Sequence, residues 1–306
     1  VGALVAQQAS VVVTMALANR YGTDGTWPVV LYTQAVYVLP YAVLAYPLAT
    51  AALPRLAEHA ANEDTVAFAG LSARTTRVVL AVSVLGAAVL VAAAPAVEAV
   101  FDLVVPGGAD VGGMAVGLTW MAPGLCGFAL ILHVSRALYV LHRGRAAVTA
   151  TALGWFVAAA VAAVAVVLLT GGERDRVGTL LGLGIATTAG MSVAGVGLLV
   201  GLVRSAGRAA VAGVGRTGAA LGLGAVAGAV VGRVVVDAVL GTVGPAATST
   251  AAAWLAVGGA VAGALVCLAA VVAAAAVGDR GLLSALRERS LAGAPESRPS
   301  GVGPVR

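Results

Sequence analysis

"YTQAVYVLPYAVLAYPLATAALPRLAEHAANED", residues 32–64, is the stretch on which the reading of this chain turns. Its first two thirds are apolar enough to cross a bilayer, yet it holds Pro40, Pro47 and Pro54, then passes Arg55 into a polar run. A proline removes a backbone donor and crowds the preceding turn, costing a helix interior about 3 kcal/mol. A spacing of seven puts Pro40 and Pro47 on nearly one face, about 20° apart. In lipid the carbonyls they free need partners from neighbouring helices, Ser/Thr groups or water. Tyr32, Gln34, Tyr37, Tyr41 and Tyr46 add hydroxyls and an amide to the same segment. The pattern predicts a spanning helix bent at Pro40 and Pro47, the two hinge candidates, and stopping at Pro54–Arg55. Such a helix serves either a cavity beside it or packing alone, and periodicity does not separate the two.

The rest of the chain agrees with a membrane setting. It has 306 residues, 60% hydrophobic and 10% charged, where soluble domains carry about 25% charged residues. This predicts an all-α, polytopic bundle of transmembrane helices. All 18 basic residues are arginine, and the net charge is +5. They sit at segment ends and not in a patch, so they read as membrane orientation and exclude nucleic acid as a partner. Cys126 and Cys267 lie in apolar runs and read as buried thiols. His59, His133 and His142 have no ligand-like spacing, and no metal or cofactor motif is present. The chain opens "VGALVAQQASVVVTMALANRYG", already apolar and without Met, so it is expected to begin partway through a longer protein.

A span needs roughly 20 apolar residues. Eight are expected: 1–19, 29–53, 76–100, 113–141, 146–169, 178–203, 214–240 and 250–277. Loops 54–75, 142–145 and 204–213 carry arginines, as does the tail, whereas 101–112 and 241–249 carry none and 20–28 has Arg20 alone. Loop 170–177 fits least, with Arg174 and Arg176 offset by Glu173 and Asp175. The positive-inside rule places the first set, and both ends of the chain, in the cytoplasm. Residues 279–306 read as a disordered cytoplasmic tail. Spans such as "LGLGIATTAGMSVAGVGLLVG" are rich in small residues, which reflects either close helix packing or base composition.

Nothing in the sequence points to an enzyme: no nucleophile–base set, paired carboxylates or nucleotide-binding loop stands in a convincing context. Ionisable residues inside spans are functional candidates by default. Arg233 and Asp237, at i and i+4, lie near the outer end of span seven. They are either a snorkelling pair or a contact for an anionic headgroup. Arg136 reads as a positive-inside anchor or a substrate contact. Tyr32 and Gln34 complete the substrate-binding candidates.

"LPYAVLAYPLATAALPRLAEHAANED" (39–64) with "FAGLSARTTRVVL" (68–80), and "PGLCGFALILHVSRALYVLHRGRAAV" (123–148), resemble the MurJ/MviN family of lipid II flippases. The resemblance implies a two-lobed bundle of fourteen helices. Residues 1–203 would be its six-helix C-terminal lobe. Residues 204–278 would be two additional helices forming a lipid-tail groove. The implied activity is flipping of undecaprenyl-pyrophosphate-linked peptidoglycan precursor by alternating access, without covalent chemistry. Implied partners are that precursor, membrane lipids, an N-terminal lobe of the same protein absent from this chain, and cell-wall synthesis proteins. Many members carry an arginine in the helix matching span two, where this chain has Ala35 after Gln34. A polysaccharide or drug exporter of the same superfamily, or a non-transporting scaffold of cell-wall synthesis, are the alternatives.

Overall fold

A chain crossing lipid must satisfy its backbone within each segment, which favours helices for every long apolar run. The computed structural model describes residues 2–105, 110–242 and 249–278. Among these, eight helices are long and apolar enough to cross a membrane: α1 (Gly2–Tyr21), α2 (Thr26–Ala61), α3 (Thr65–Val104), α4 (Met114–Val140), α5 (Gly144–Thr170), α6 (Arg176–Ala206), α7 (Arg208–Leu240) and α8 (Ser249–Gly278). No strand occurs among the described residues. The expected tail, 279–306, lies outside them.

The eight expected spans correspond to these helices, but the segment 54–75 is not the loop expected. α2 runs on through Pro54 to Ala61, and α3 starts at Thr65. Pro54 deletes one donor in a stretch that has left the apolar run, where water can bond the freed carbonyl. The true stop is a left-handed residue, Glu63 (φ 55°). Asp64 N–H donates to His59 O at 2.9 Å and Glu63 N–H to Ala60 O at 3.2 Å, the double bond pattern that closes a helix end. The Asp64 carboxylate then accepts from Ala67 N–H at 2.9 Å and caps α3. The turn from α4 to α5 repeats the device with His142 (φ 55°) and an Arg143 N–H bond to Leu138 O of 2.8 Å.

The turns sort into two ends. At one, Arg77 donates to Thr217 Oγ1 at 3.0 Å and Arg216 to the Gly278 carbonyl at 3.0 Å. At the other, loop 171–175 is tied to the loops after α1 and α3. Arg174 meets Asp24 at 2.8 Å, and Arg176 meets Asp110 at 2.6 Å and the Asp24 carbonyl at 2.6 Å. The two arginines that fit the charge pattern least are therefore offset by Asp24 and Asp110, and not by their neighbours in sequence. Asp175 instead caps α6 through Val177 N–H and Gly178 N–H.

α3 is the central post. It shares one buried cluster with α2 and α4, and another, through Val84, Ala88 and Ala92, with α7 and α8. Small residues let the other helices close. Gly154 and Ala158 of α5 meet Gly190 and Ala194 of α6. Gly224, Gly228 and Gly232 of α7 meet Ala270, Cys267 and Gly263 of α8. Four-residue spacing of small side chains thus serves packing here. A Cβ at Gly190 would stand 2.9 Å from Ala158 Cα. Overpacking of this kind costs about 1–3 kcal/mol. Gly190→Leu is expected to lower stability in detergent unfolding by that amount, while Gly222→Ala, which faces open space inside α7, is expected to raise it by about 0.5–1 kcal/mol, because Ala favours a helix interior over Gly.

Candidate functional site

The α2 helix does not break at its prolines. Between Pro40 and Pro47 the backbone takes one π-helical turn, Tyr41–Ala45, closed by Tyr46 N–H donating to Tyr41 O. Such turns are frequent at functional sites. Space for Pro40 comes from α3, where a Cβ at Gly86 would lie 2.7 Å from Pro40 Cβ. Tyr37 and Tyr41 point inward to Phe128 of α4, with ring centroids 6.0 and 5.4 Å away. Tyr46 carries the Arg136 guanidinium over its ring at 5.2 Å. Arg136 Nη1 and the Tyr37 and Tyr41 hydroxyls are buried without a hydrogen-bond partner. Close to Arg136, His133 is buried and meets Thr75 Oγ1 at 3.3 Å.

α1 packs chiefly on α5 and touches α2 only lightly. A cavity of about 200 Å³ lies behind that gap, bounded by α1, α2, α4, α5 and α6. Gln34 and Tyr37 line it from α2, Gln7, Ser10 and Thr14 from α1, and Thr187 from α6. On the other side of α2, Val36 and Leu39 face a nearly wholly apolar trough of about 400 Å³, completed by Ala93 and Val97 of α3 and Val257 and Val261 of α8. The two trailing helices pack closely where they meet: at Gly228 a Cβ would stand 3.0 Å from Cys267 Cα. The groove expected between α7 and α8 is thus filled by their own small-residue contact, and the trough lies on the α2 side of α8.

The remaining candidates are engaged elsewhere. Tyr32 packs on Phe101 of α3 at 5.5 Å between ring centroids, at the end that holds the loops after α1 and α3. Arg233 pairs with Asp237 at 3.3 Å, as its i, i+4 spacing suggests, but also reaches inward. Its Nη1 donates to the Val91 carbonyl at 3.2 Å and to Thr119 Oγ1 at 3.3 Å. Val91 stands four residues before Pro95, which sits inside α3 and has no N–H to offer that carbonyl. Arg233 supplies the missing donor. Glu98 accepts from Ala115 N–H at 2.6 Å and caps α4. The site candidates therefore do not form one cluster: Gln34 lines the cavity, Arg136 lies by the π turn, and Arg233, Asp237 and Tyr32 serve contacts at the far end.

Thr187 and Trp155, both on the cavity wall, carry no local signal that separates them from other span residues. The role of Arg233 did have one: an in-span proline always frees the carbonyl four residues earlier. Among the described residues, no group of three or more His, Cys, Asp or Glu is placed to hold a metal ion.

Comparison with known proteins adds the following. A family model described as lipid II flippase MurJ matches residues 1–236. A solved structure described as lipid II flippase MurJ in an inward closed conformation is similar in fold, with TM-score 0.59 and 15% identity. The alignment covers 95% of this chain and 53% of that one, so the chain spans about half the length of the relative it matches. No curated protein matches.

The Arg233 contact makes a specific prediction. Hydrogen bonds to charged groups contribute about 1.5–3 kcal/mol, less where partly exposed. Arg233→Leu is expected to cost about 1 kcal/mol in detergent unfolding. In a Pro95→Ala background, where the backbone regains its donor, the same change is expected to cost less than half as much.

Proposed function

We propose a function from a plain premise: this chain belongs to the MurJ lipid II flippase family. The proposed role is transfer of a lipid-linked peptidoglycan precursor across the bacterial cytoplasmic membrane. Residues 1–203 act as one lobe of a two-lobed transporter, and residues 204–278 add two helices beside it. The observation that carries this reading is the position of α2. Gln34 and Tyr37 line a hydrogen-bonding cavity on one side, and Val36 and Leu39 line an apolar trough on the other. An amphiphile with a polar headgroup and a long hydrocarbon tail has both halves matched across that one helix.

The physics of the substrate supports the arrangement. Pyrophosphate and sugars cannot be buried in hydrocarbon without partners, so the headgroup crosses within protein. The tail is already soluble in lipid and follows alongside, in the trough between α2, α3 and α8. The arginine-rich end is cytoplasmic by charge bias. At that end Arg136 has an N–H to spare, and we assign it the first contact with the pyrophosphate. The π turn between Pro40 and Pro47 is the hinge on which α2 moves as the lobes rock about a central space. No bond in the substrate is made or broken, so the protein is a transporter and not an enzyme.

The scaffold alternative rests on Ala35, which is exposed on α2 and supplies no charge to a substrate. One experiment separates the two readings. Depleting the full-length gene product, with paralogues absent, is expected to reduce externally accessible lipid II by at least about tenfold. Re-expression of the wild type restores it, and Arg136→Ala restores it poorly. Unchanged accessibility after depletion would reject transport.

A further inference from the structure

The cavity behind α1 and α2 has a lining whose chemistry is narrower than "polar". Most of the lining is apolar, Val11, Val38, Met121 and Leu183 among it, and the polar groups on it are Gln7, Ser10, Thr14, Gln34, Tyr37 and Thr187. Among the described residues, no Asp, Glu, Arg, Lys or His lines the cavity. An ion of either sign, phosphate included, would find no counter-charge there, and burial of an unpaired charge is strongly disfavoured. The wall is not inert, however. Thr14 and Thr187 spend their hydroxyl hydrogens on their own helices, donating to Ser10 O and Leu183 O at 2.9 Å each. Their oxygens are left as acceptors. Two glutamine amides offer both a donor and an acceptor. The Tyr37 hydroxyl, on a residue only 4% exposed, has no partner within the protein. Trp155 and Phe128 add aromatic surface.

We propose that this cavity is a carbohydrate subsite: it receives one uncharged sugar ring of the lipid-linked substrate, apart from the contact that holds the pyrophosphate. A pyranose offers the complement of this wall, with hydroxyl and amide groups around its edge and C–H faces that stack on aromatic rings. Depth agrees. Ser10 lies eleven residues from the end of α1 at Tyr21, about 16 Å along the axis, close to the middle of a hydrocarbon core of roughly 30 Å. Transporter substrate sites fall at that level. This rests on the flippase reading above.

The test compares undecaprenyl pyrophosphate with undecaprenyl-pyrophosphoryl-N-acetylglucosamine, which adds one neutral sugar and loses the ionisable oxygen that the sugar esterifies, so the change in preference between wild type and variants is the readout. Binding of each to the purified full-length protein in nanodiscs is measured by native mass spectrometry. The wild type is expected to favour the sugar-bearing lipid by roughly tenfold. Gln34→Leu and Tyr37→Phe are each expected to reduce that preference to about threefold or less, with the affinity for undecaprenyl pyrophosphate unchanged. Tyr37→Phe removes a single oxygen, so loss of fold does not obscure the result. A wild type that binds both lipids equally, or variants that keep the full preference, overturns the sugar subsite and leaves transport standing. A wild type that binds neither lipid overturns the flippase reading itself, and the subsite with it.

Discussion

Every helix carbonyl in hydrocarbon needs a donor, and this bundle is organised around the places where proline takes one away. In α3 the loss at Pro95 is met from outside, by Arg233 reaching from α7 to the Val91 carbonyl. That contact fastens the trailing pair to the central post, and Thr119 brings α4 into it. In α2 the loss is absorbed within the helix, which takes a π turn between Pro40 and Pro47 and continues. The two solutions have different mechanical consequences. One pins three helices together. The other leaves a helix whose hydrogen-bond register changes at mid-length, held by aromatic contacts and by an arginine lying on a ring.

Packing follows the same division. α5 meets α6, and α7 meets α8, through glycine and alanine at four-residue spacing, where backbones approach closely and no side chain has room to move. α1 and α2 are different. They touch lightly and expose Leu4, Val5, Val12, Leu39 and Val43, and both contribute polar side chains to the largely apolar wall of one cavity. A lobe built this way has a sealed side and an open side. The loops after α1, α3 and α5 are tied to one another through Arg174, Arg176, Asp24 and Asp110.

Much of this was legible in the sequence. The length of the apolar runs located all eight helices, and arginine placement sorted the turns into the two ends that the structure displays. What was misread depended on contacts that a linear pattern does not encode. Pro54 looked like a stop, but the chain stops where Glu63 turns left-handed, a feature of backbone geometry with no glycine to announce it. The family resemblance implied a lipid-tail groove formed by α7 and α8. Their glycines are the surface by which the two helices meet, and an apolar trough lies among α2, α3 and α8. Within α2, alternation of Gln34 and Tyr37 with Val36 and Leu39 did encode two faces. What each face meets required the positions of α1, α6 and α8.

The proposed function rests on one claim: that α2 divides a hydrogen-bonding path for a headgroup from an apolar path for a tail. The most direct measurement is transport itself. The full-length protein, reconstituted into liposomes loaded with labelled lipid II, is treated with an external enzyme that consumes the label only at the outer leaflet. The account predicts that the protected inner fraction falls within minutes in a protein-dependent manner. A folded protein that leaves this fraction the same as in protein-free liposomes would contradict it.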